Sequence, residues 1–348
     1  MKFAPIPLTQ AEGKILGHNV SDATGRRILR KGKPLTAVDV ARLRELGRET
    51  IYAALPEAGD VAENEAAQRI AQAVIGDHFR LSKALTGRCN IHATTLGLLR
   101  VDEARLLQIN LCEAVTLGTL PNHAVVTPDK MVATLKIVAY GVPESVVREA
   151  ETIGQFGLTG HGRVSPLLRI DPLYPRRVGL ILSGNTAVRE KIVNGFDKAL
   201  RPRLESWGSQ LEQVAFVPLE DETGERELAA LLAQQVAEGM EMIILAGETA
   251  IMDRHDIAPR AVERAGGRVT CFGAPVDPGN LLMLARLGDV PIVGAPGCAR
   301  SPKQNIVDIV LPRLLAGDYL TRMDIVRLGL GGMIEDVPER PLPRRKIT

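Results

Sequence analysis

From residue 177 onward the chain alternates short, unbroken apolar runs with longer stretches in which apolar residues recur every three or four positions. The runs at 177–183, 214–218, 242–246, 269–272 and 291–293 have the length of strands. Between them lie four amphipathic stretches, 187–207, 225–238, 256–265 and 303–315, closed by Gly208, Gly239, Gly266 and Gly317. Glycine just past a helix is a stop signal, because it takes the left-handed conformation without steric cost. Strands apolar on both faces, alternating with helices, predict a parallel sheet covered on both sides, a three-layer α/β domain over 175–317.

The first 170 residues read differently. Stretches 8–20 and 26–29 read as strands around Gly and Asp turns. Thr36 is followed three positions later by Asp39, the spacing of a reciprocal helix cap, and Leu43, Leu46 and Gly47 continue and end that helix. Residues 63–75 and 144–153 read as helices. Between 80 and 140 no long helical period exists and turn residues abound, which predicts short strands. The prolines of 166–175 mark a linker. The organisation expected is a smaller, strand-rich mixed α+β region over 1–170 (sub-units 1–78 and 79–165), the α/β domain over 175–317, and a tail over 318–348. After Asp336 that tail sets Pro338, Pro341 and Pro343 among Arg340, Arg344, Arg345 and Lys346, a composition that buries no core.

Composition narrows the function. With 45% hydrophobic residues in 348, the chain can fill a large core. A net charge of +2 and 3% aromatic residues argue against nucleic acid as a partner, by weak field and by few stacking surfaces. No apolar run of about 18 residues exists, so no membrane span is expected. The start, Met1-Lys2-Phe3-Ala4-Pro5, lacks a signal peptide's apolar segment. Cys89, Cys112, Cys271 and Cys298 are scattered without a CxxC pair, which fits a reduced, cytoplasmic protein without a structural zinc. The first three lie in apolar, strand-like runs and read as core.

Two Gly- and Pro-rich loops, 273–280 and 294–301, each leave a short apolar strand, and loops at strand carboxyl ends form the crevice of an open parallel sheet. The residue types there suit a phosphorylated, anionic ligand. Ser183, Gly184 and Asn185 lead into a helix start whose bare amides favour phosphate; the same turn also reads as an ordinary cap. Gly247 lets backbone approach a ligand, Thr249 offers a hydroxyl, and Glu248 can accept from ring N–H groups or repel a phosphate. Pro278 and Gly279 close the first loop. In the second, Pro296, Gly297, Cys298, Arg300, Ser301 and Lys303 combine amides with a planar guanidinium and a point charge, an anion cradle or else a solvated basic helix start. Cys298 faces the expected crevice, where it contacts the cofactor or simply packs. Asp253 and Asp256, the candidate catalytic acids, flank the solvated His255. Asp256 can hold a magnesium ion between phosphates; it is also placed as a helix N-cap, for which Asp and Asn serve about equally.

These residues carry a family resemblance. Residues 176–316 resemble the molybdopterin-binding domain shared by molybdopterin adenylyltransferases and molybdenum insertases. Its strand ending in Gly-Gly-Thr/Ser-Gly has a counterpart in Ala246-Gly247-Glu248-Thr249-Ala250, its Asp-x-Thr-Pro helix start in Asp256-Ile257-Ala258-Pro259, and its Pro-Gly-Asn-Pro-x-Ser loop in Pro296-Gly297-Cys298-Ala299-Arg300-Ser301. The whole chain is similar to a bacterial group that shares Ala-Glu-Gly-x-Ile-Leu-x-His, here Ala11–His18, and Arg-Lys-Gly, here Arg30–Gly32. The resemblance implies a cytoplasmic protein that binds molybdopterin or its adenylylated form, and maps the family's acidic position, with a catalytic or metal role, onto Asp256. It further implies molybdate, a homo-oligomer, and a nucleotidyltransferase partner, since some relatives carry that domain where this chain ends.

Several departures bear on activity. Glu248 replaces the second glycine, one residue is inserted before Asp256, and Cys298 replaces the loop asparagine. About 30 residues follow the sheet domain, too few for an insertase's C-terminal barrel, and the insertase signature Ser-Ala-Met-Asp-Gly-Tyr-Ala is absent. Binding is therefore the primary expectation. The alternatives are an active molybdotransferase or adenylyltransferase, a non-enzymatic cofactor carrier, and a pyrophosphate hydrolase.

Overall fold

Thr36 and Asp39 form the reciprocal cap that their spacing predicts in the computed structural model, which describes residues 1–157, 165–219 and 222–334. The Asp39 N–H donates to Thr36 Oγ1 (3.3 Å) and the Thr36 N–H to Asp39 Oδ2 (3.0 Å), starting the helix Ala37–Glu45. Lys33 Nζ lies 2.6 Å from Asp39 Oδ1. That ammonium, with the Thr36 donors, lowers the Asp39 carboxyl to about 2.

The chain divides into two units, Met1–Asp171 and Pro172–Thr348. In the first, strands Lys2–Pro7 and Ile15–Leu16 pair antiparallel with Thr50–Leu55 over a small core that includes Ile6, Leu16, Leu35 and Leu43. A second core lies against an antiparallel sheet ordered Val115–Thr119, Met131–Ile137, Arg88–Ala93, Phe79–Leu81. Helices Glu63–Val74 and Glu144–Gln155 contribute Ile70, Val74 and Val147 to it. Arg69 ties the two helices together, meeting Glu144 at 2.8 Å and Glu151 at 2.9 Å.

Three readings of this region change. Residues 8–20, read as strands around turns, begin with a 3-10 turn, Leu8–Gln10, and hold only two-residue strands after it. The stretch read as strands throughout contains the helix Glu103–Leu111, capped by the Asp102 carboxylate, which accepts the Arg105 N–H (3.1 Å). Only Arg105 and Ile109 of that helix are buried, so it leaves almost no periodic signal. Cys112 ends it and is buried there, not in a strand. The expected linker contains the strand Leu168–Pro172, with Leu168 and Ile170 buried beside Gly97–Val101.

The second unit is built on six strands: β1 (Arg177–Gly184), β2 (Gln210–Pro218), β3 (Met242–Gly247), β4 (Arg268–Phe272), β5 (Met283–Leu287) and β6 (Val290–Gly294), in the order β2-β1-β3-β6-β5-β4. Neighbours among β2, β1, β3 and β6 are parallel, while β5 runs antiparallel to β6 and β4. Strand β5 is an addition to the expected set. It forms a hairpin with β6 through Gly288 and Asp289, with Gly288 at φ 59°. The helices are α1 (Arg189–Ser206), α2 (Glu222–Ala237), α3 (Ile257–Arg264), α4 (Val307–Leu315) and α5 (Arg322–Val326).

One face of the sheet buries Ile181, Ile243, Leu245 and Ile292 against Leu228 and Leu232 of α2 and Ala261 and Val262 of α3. The alternate residues Leu180, Leu182, Ile244 and Val293 are equally buried. Side-chain alternation aims them at the opposite face, where a right-handed β1–α1–β2 crossover puts α1. Among the described residues no helix is long and apolar enough to cross a membrane. The proline- and arginine-rich end, 335–348, lies outside the described residues.

Candidate functional site

Strand register brings the predicted loops to one edge. Ser183 pairs with Gly247 and Leu245 with Gly294, so β1, β3 and β6 finish side by side, and β4 points the same way. A small cleft opens there. Ile181, Leu245, Ala246, Gly247 and Ala295 come from the sheet edge, Leu228 from α2, Thr249 and Ile251 from the segment that leads into α3, Ala258 from α3 itself, and Ser183 from the end of β1.

The β1 and β3 turns are locked together. The Glu248 N–H donates to the Ser183 carbonyl (2.8 Å), and the Asn185 N–H donates to Glu248 Oε2 (2.9 Å). Asn185 in turn caps the turn before α1, its Oδ1 accepting the Ala187 N–H (2.8 Å). Gly184 has φ 153°, and a Cβ there would lie 2.7 Å from Glu248 Cβ. Gly247 has a similar reason: a Cβ would meet Ser183 Oγ at 2.7 Å and the Ser183 carbonyl at 2.8 Å. Both glycines are required by the protein's own close packing, independently of any ligand.

The loop after β6 forms a 3-10 turn, Gly297–Arg300, with Pro296 ahead of it. Helix α4 starts at Val307 instead of 303, because Asn305 and Asp308 turn the chain first. The Asn305 N–H donates to Asp308 Oδ2 (2.9 Å), and the Val307 N–H to Asn305 Oδ1 (3.2 Å). Arg203 of α1 braces this loop. Its Nε meets Asp308 Oδ1 at 2.8 Å, and its Nη2 donates to the carbonyls of Ser301 (2.8 Å) and Lys303 (2.9 Å). Asn305, 1% exposed, adds bonds from Nδ2 to the carbonyls of Cys298 and Lys303. Arg203, Asn305 and Asp308 are thus the residues that sequence reading missed. Only the Asn305–Asp308 spacing hints at them locally. Of the predicted cations, Lys303 is exposed with no ion pair among the described residues. Arg300 is exposed too, with its guanidinium carbon 5.5 Å over the Phe196 ring of α1. Cys298 is half-buried, whereas burial pushes the thiols of Cys89, Cys112 and Cys271 up, as for inert core cysteines.

The acidic residues turn toward their own backbone. Asp256 Oδ1 accepts the Ile257 N–H (2.7 Å) at the start of α3, and its Oδ2 accepts the Met252 N–H (3.0 Å). Asp253 Oδ1 accepts the His255 N–H (2.7 Å), and both residues are exposed. Among the described residues no group of three or more His, Cys, Asp or Glu could hold a metal. With no such group around Asp256, the residues present do not make a magnesium site of their own. Pro278 and Gly279 are also engaged internally. The Ile306 N–H donates to the Pro278 carbonyl (3.2 Å), and a Cβ on the buried Gly279 would fall 2.3 Å from Ile306 Cβ.

Residues 179–316 match the family model described as "Probable molybdopterin binding domain", and residues 5–55 match a domain of unknown function, DUF8806. No curated protein matches the chain. Among solved structures it is similar to a molybdenum cofactor biosynthesis protein from Pyrococcus furiosus, at 11% identity over 94% of this chain and 65% of that one, with a TM-score of 0.25. It is also similar to a molybdopterin biosynthesis moea protein from Pyrococcus horikosii, at 12% identity over 90% of this chain and 75% of that one, with a TM-score of 0.30. The chain therefore spans less than two thirds of the first of these. Superpositions this loose carry no argument, and the family match alone assigns the domain.

Proposed function

We infer that the chain, whose residues 179–316 form a domain of the molybdopterin-binding family, serves molybdenum-cofactor biosynthesis by binding molybdopterin or its adenylylated form at the carboxyl edge of β1, β3 and β6. The observation that carries the reading is the convergence of three loops on that edge, two of them rich in ligand-binding groups: Ser183–Asn185, Gly247–Thr249 and Pro296–Lys303. The hydroxyls of Ser183 and Thr249, at the mouth of the small cleft, suit the polar rim of a pterin. The exposed Lys303 suits a phosphate, which a single ammonium can hold as a point charge.

Binding is favoured over transfer because Asp256, the acid expected to act, spends both oxygens on backbone caps. The test is mass spectrometry of small molecules released by denaturing the protein after purification from a molybdopterin-producing host. The expected result is a pterin, with or without an adenylyl group. Recovery of a nucleotide or sugar nucleotide with no pterin would overturn the reading.

A further inference from the structure

The carboxyl edge is polarised. Glu248 directly follows β3, with Asp253, Arg254 and Asp256 further along the same segment, while Arg300 and Lys303 leave the adjacent strand β6. Glu248 is exposed, yet its orientation is set twice: its N–H is bound to the Ser183 carbonyl, and its Oε2 takes the Asn185 N–H at 2.9 Å. The absent side chain of Gly184 makes room for it. Its second oxygen, Oε1, accepts no hydrogen bond from the described residues, and the side chain lies on the α1 side of the edge, where a Cβ on Gly184 would also meet Ile192 and where Arg300 lies over Phe196. A fixed carboxylate accepts donors and repels phosphate, so the two ends of the edge select opposite chemistry.

We propose that Glu248 is a specificity-determining residue that orients the ligand, accepting the N–H and amino donors along the edge of a 2-amino-4-oxo heterocycle while the ligand's phosphate lies toward Lys303 and Arg300. The proposal rests on the molybdopterin reading above and adds to it which end of the ligand faces which strand. It also assigns a role to the one residue in the β3 turn whose charge opposes a phosphate. Phosphate at the β1 turn is disfavoured by the same carboxylate, so the anion must go to the β6 loop.

The experiment compares pterin with lumazine, in which a 2-oxo acceptor replaces the 2-amino donor while the neighbouring N3–H is kept. Both are titrated by fluorescence against the full chain, as wild type and Glu248→Gln, with inorganic pyrophosphate titrated by calorimetry alongside. In the variant the amide carbonyl would still accept the Asn185 N–H, so the turn is kept, but an NH₂ group would stand where Oε1 stood. Wild type is expected to prefer pterin by about tenfold or more, the scale of a charge-assisted hydrogen bond. The variant should lose or invert that preference and bind pyrophosphate within about threefold of wild type, because screening by water weakens an exposed charge. The same preference in both proteins overturns the proposal, as does a variant that changes pyrophosphate binding and leaves ring preference alone. A wild type that binds pyrophosphate and neither ring overturns the molybdopterin reading itself, which is a different outcome from an unchanged preference between two rings that do bind.

Discussion

Replacing Asp256 by asparagine discriminates between a cap and a functional acid more sharply than the equal capping strength of Asp and Asn suggests. Asp256 holds two backbone donors, Ile257 N–H at 2.7 Å and Met252 N–H at 3.0 Å, one on each oxygen. Asparagine has one oxygen, and its NH₂ must face one of those donors whichever way the amide turns. A backbone bond to a charged acceptor contributes about 1.5–3 kcal/mol when shielded from water. Met252 is 62% exposed, so water replaces much of what is lost, and about 1 kcal/mol is the expected cost for Asp256→Asn. Asp256→Ala loses both bonds and should cost about 2 kcal/mol, the upper end for a lost N-cap. The assay is urea unfolding followed by the fluorescence of Trp207, the chain's single tryptophan, which is 8% exposed at the end of α1 and so reports on the second unit. Pyrophosphate binding is measured on the same proteins with and without magnesium. Asparagine within about 0.5 kcal/mol of wild type would refute the two-donor geometry, since ordinary surface changes fall in that range. A variant that is destabilised as expected but binds normally would make Asp256 a structural residue only.

Arg203→Ala should destabilise the second unit by about 3 kcal/mol, because it strands the largely buried Asp308 and two loop carbonyls without their donor. Arg203→Lys should recover only part, since an ammonium cannot span three acceptors in a plane; a loss under about 1 kcal/mol for the alanine variant, in the Trp207 assay, would refute the bracing role. The double variant Arg300→Ala, Lys303→Ala should weaken pyrophosphate binding by about tenfold or more while leaving stability nearly unchanged. Unchanged affinity in calorimetry would move the phosphate to another part of the edge. In the first unit, the Asp39 carboxyl falls from 3.8 to about 2 on folding. Its stabilisation is therefore complete above about pH 4 and lost as pH falls through about 2. Lys33 is 45% exposed, so screening leaves about 1 kcal/mol of this, and the stability gap between wild type and Asp39→Asn should shrink by that much between pH 5 and 2. A gap independent of pH, in denaturant unfolding followed by circular dichroism, would contradict the pairing.

The features legible in sequence are those settled within a few residues. The cap at Thr36 and Asp39 needs only a three-residue spacing, and β1 and β3 announce themselves as unbroken apolar runs because helices cover both faces of the sheet. The helix Glu103–Leu111 escaped because only two of its nine residues are buried, leaving no stripe to read. Strand β5 escaped because its pairing with β4 and β6 is a fact about neighbours, not about its own composition. The candidate site divides the same way. Sequence located the Gly-rich turns and their charged residues, since turn chemistry is local. It could not show that Gly184 and Gly247 are demanded by protein packing, because the atoms that crowd them come from another strand. Nor could it pair Asn185 with Glu248, 63 residues away, or Arg203 with the Ser301 carbonyl, 98 residues away. Those contacts follow from sheet register and helix placement. Both are fixed by the burial of whole faces at once, so only the assembled sheet could decide which loop side chains meet.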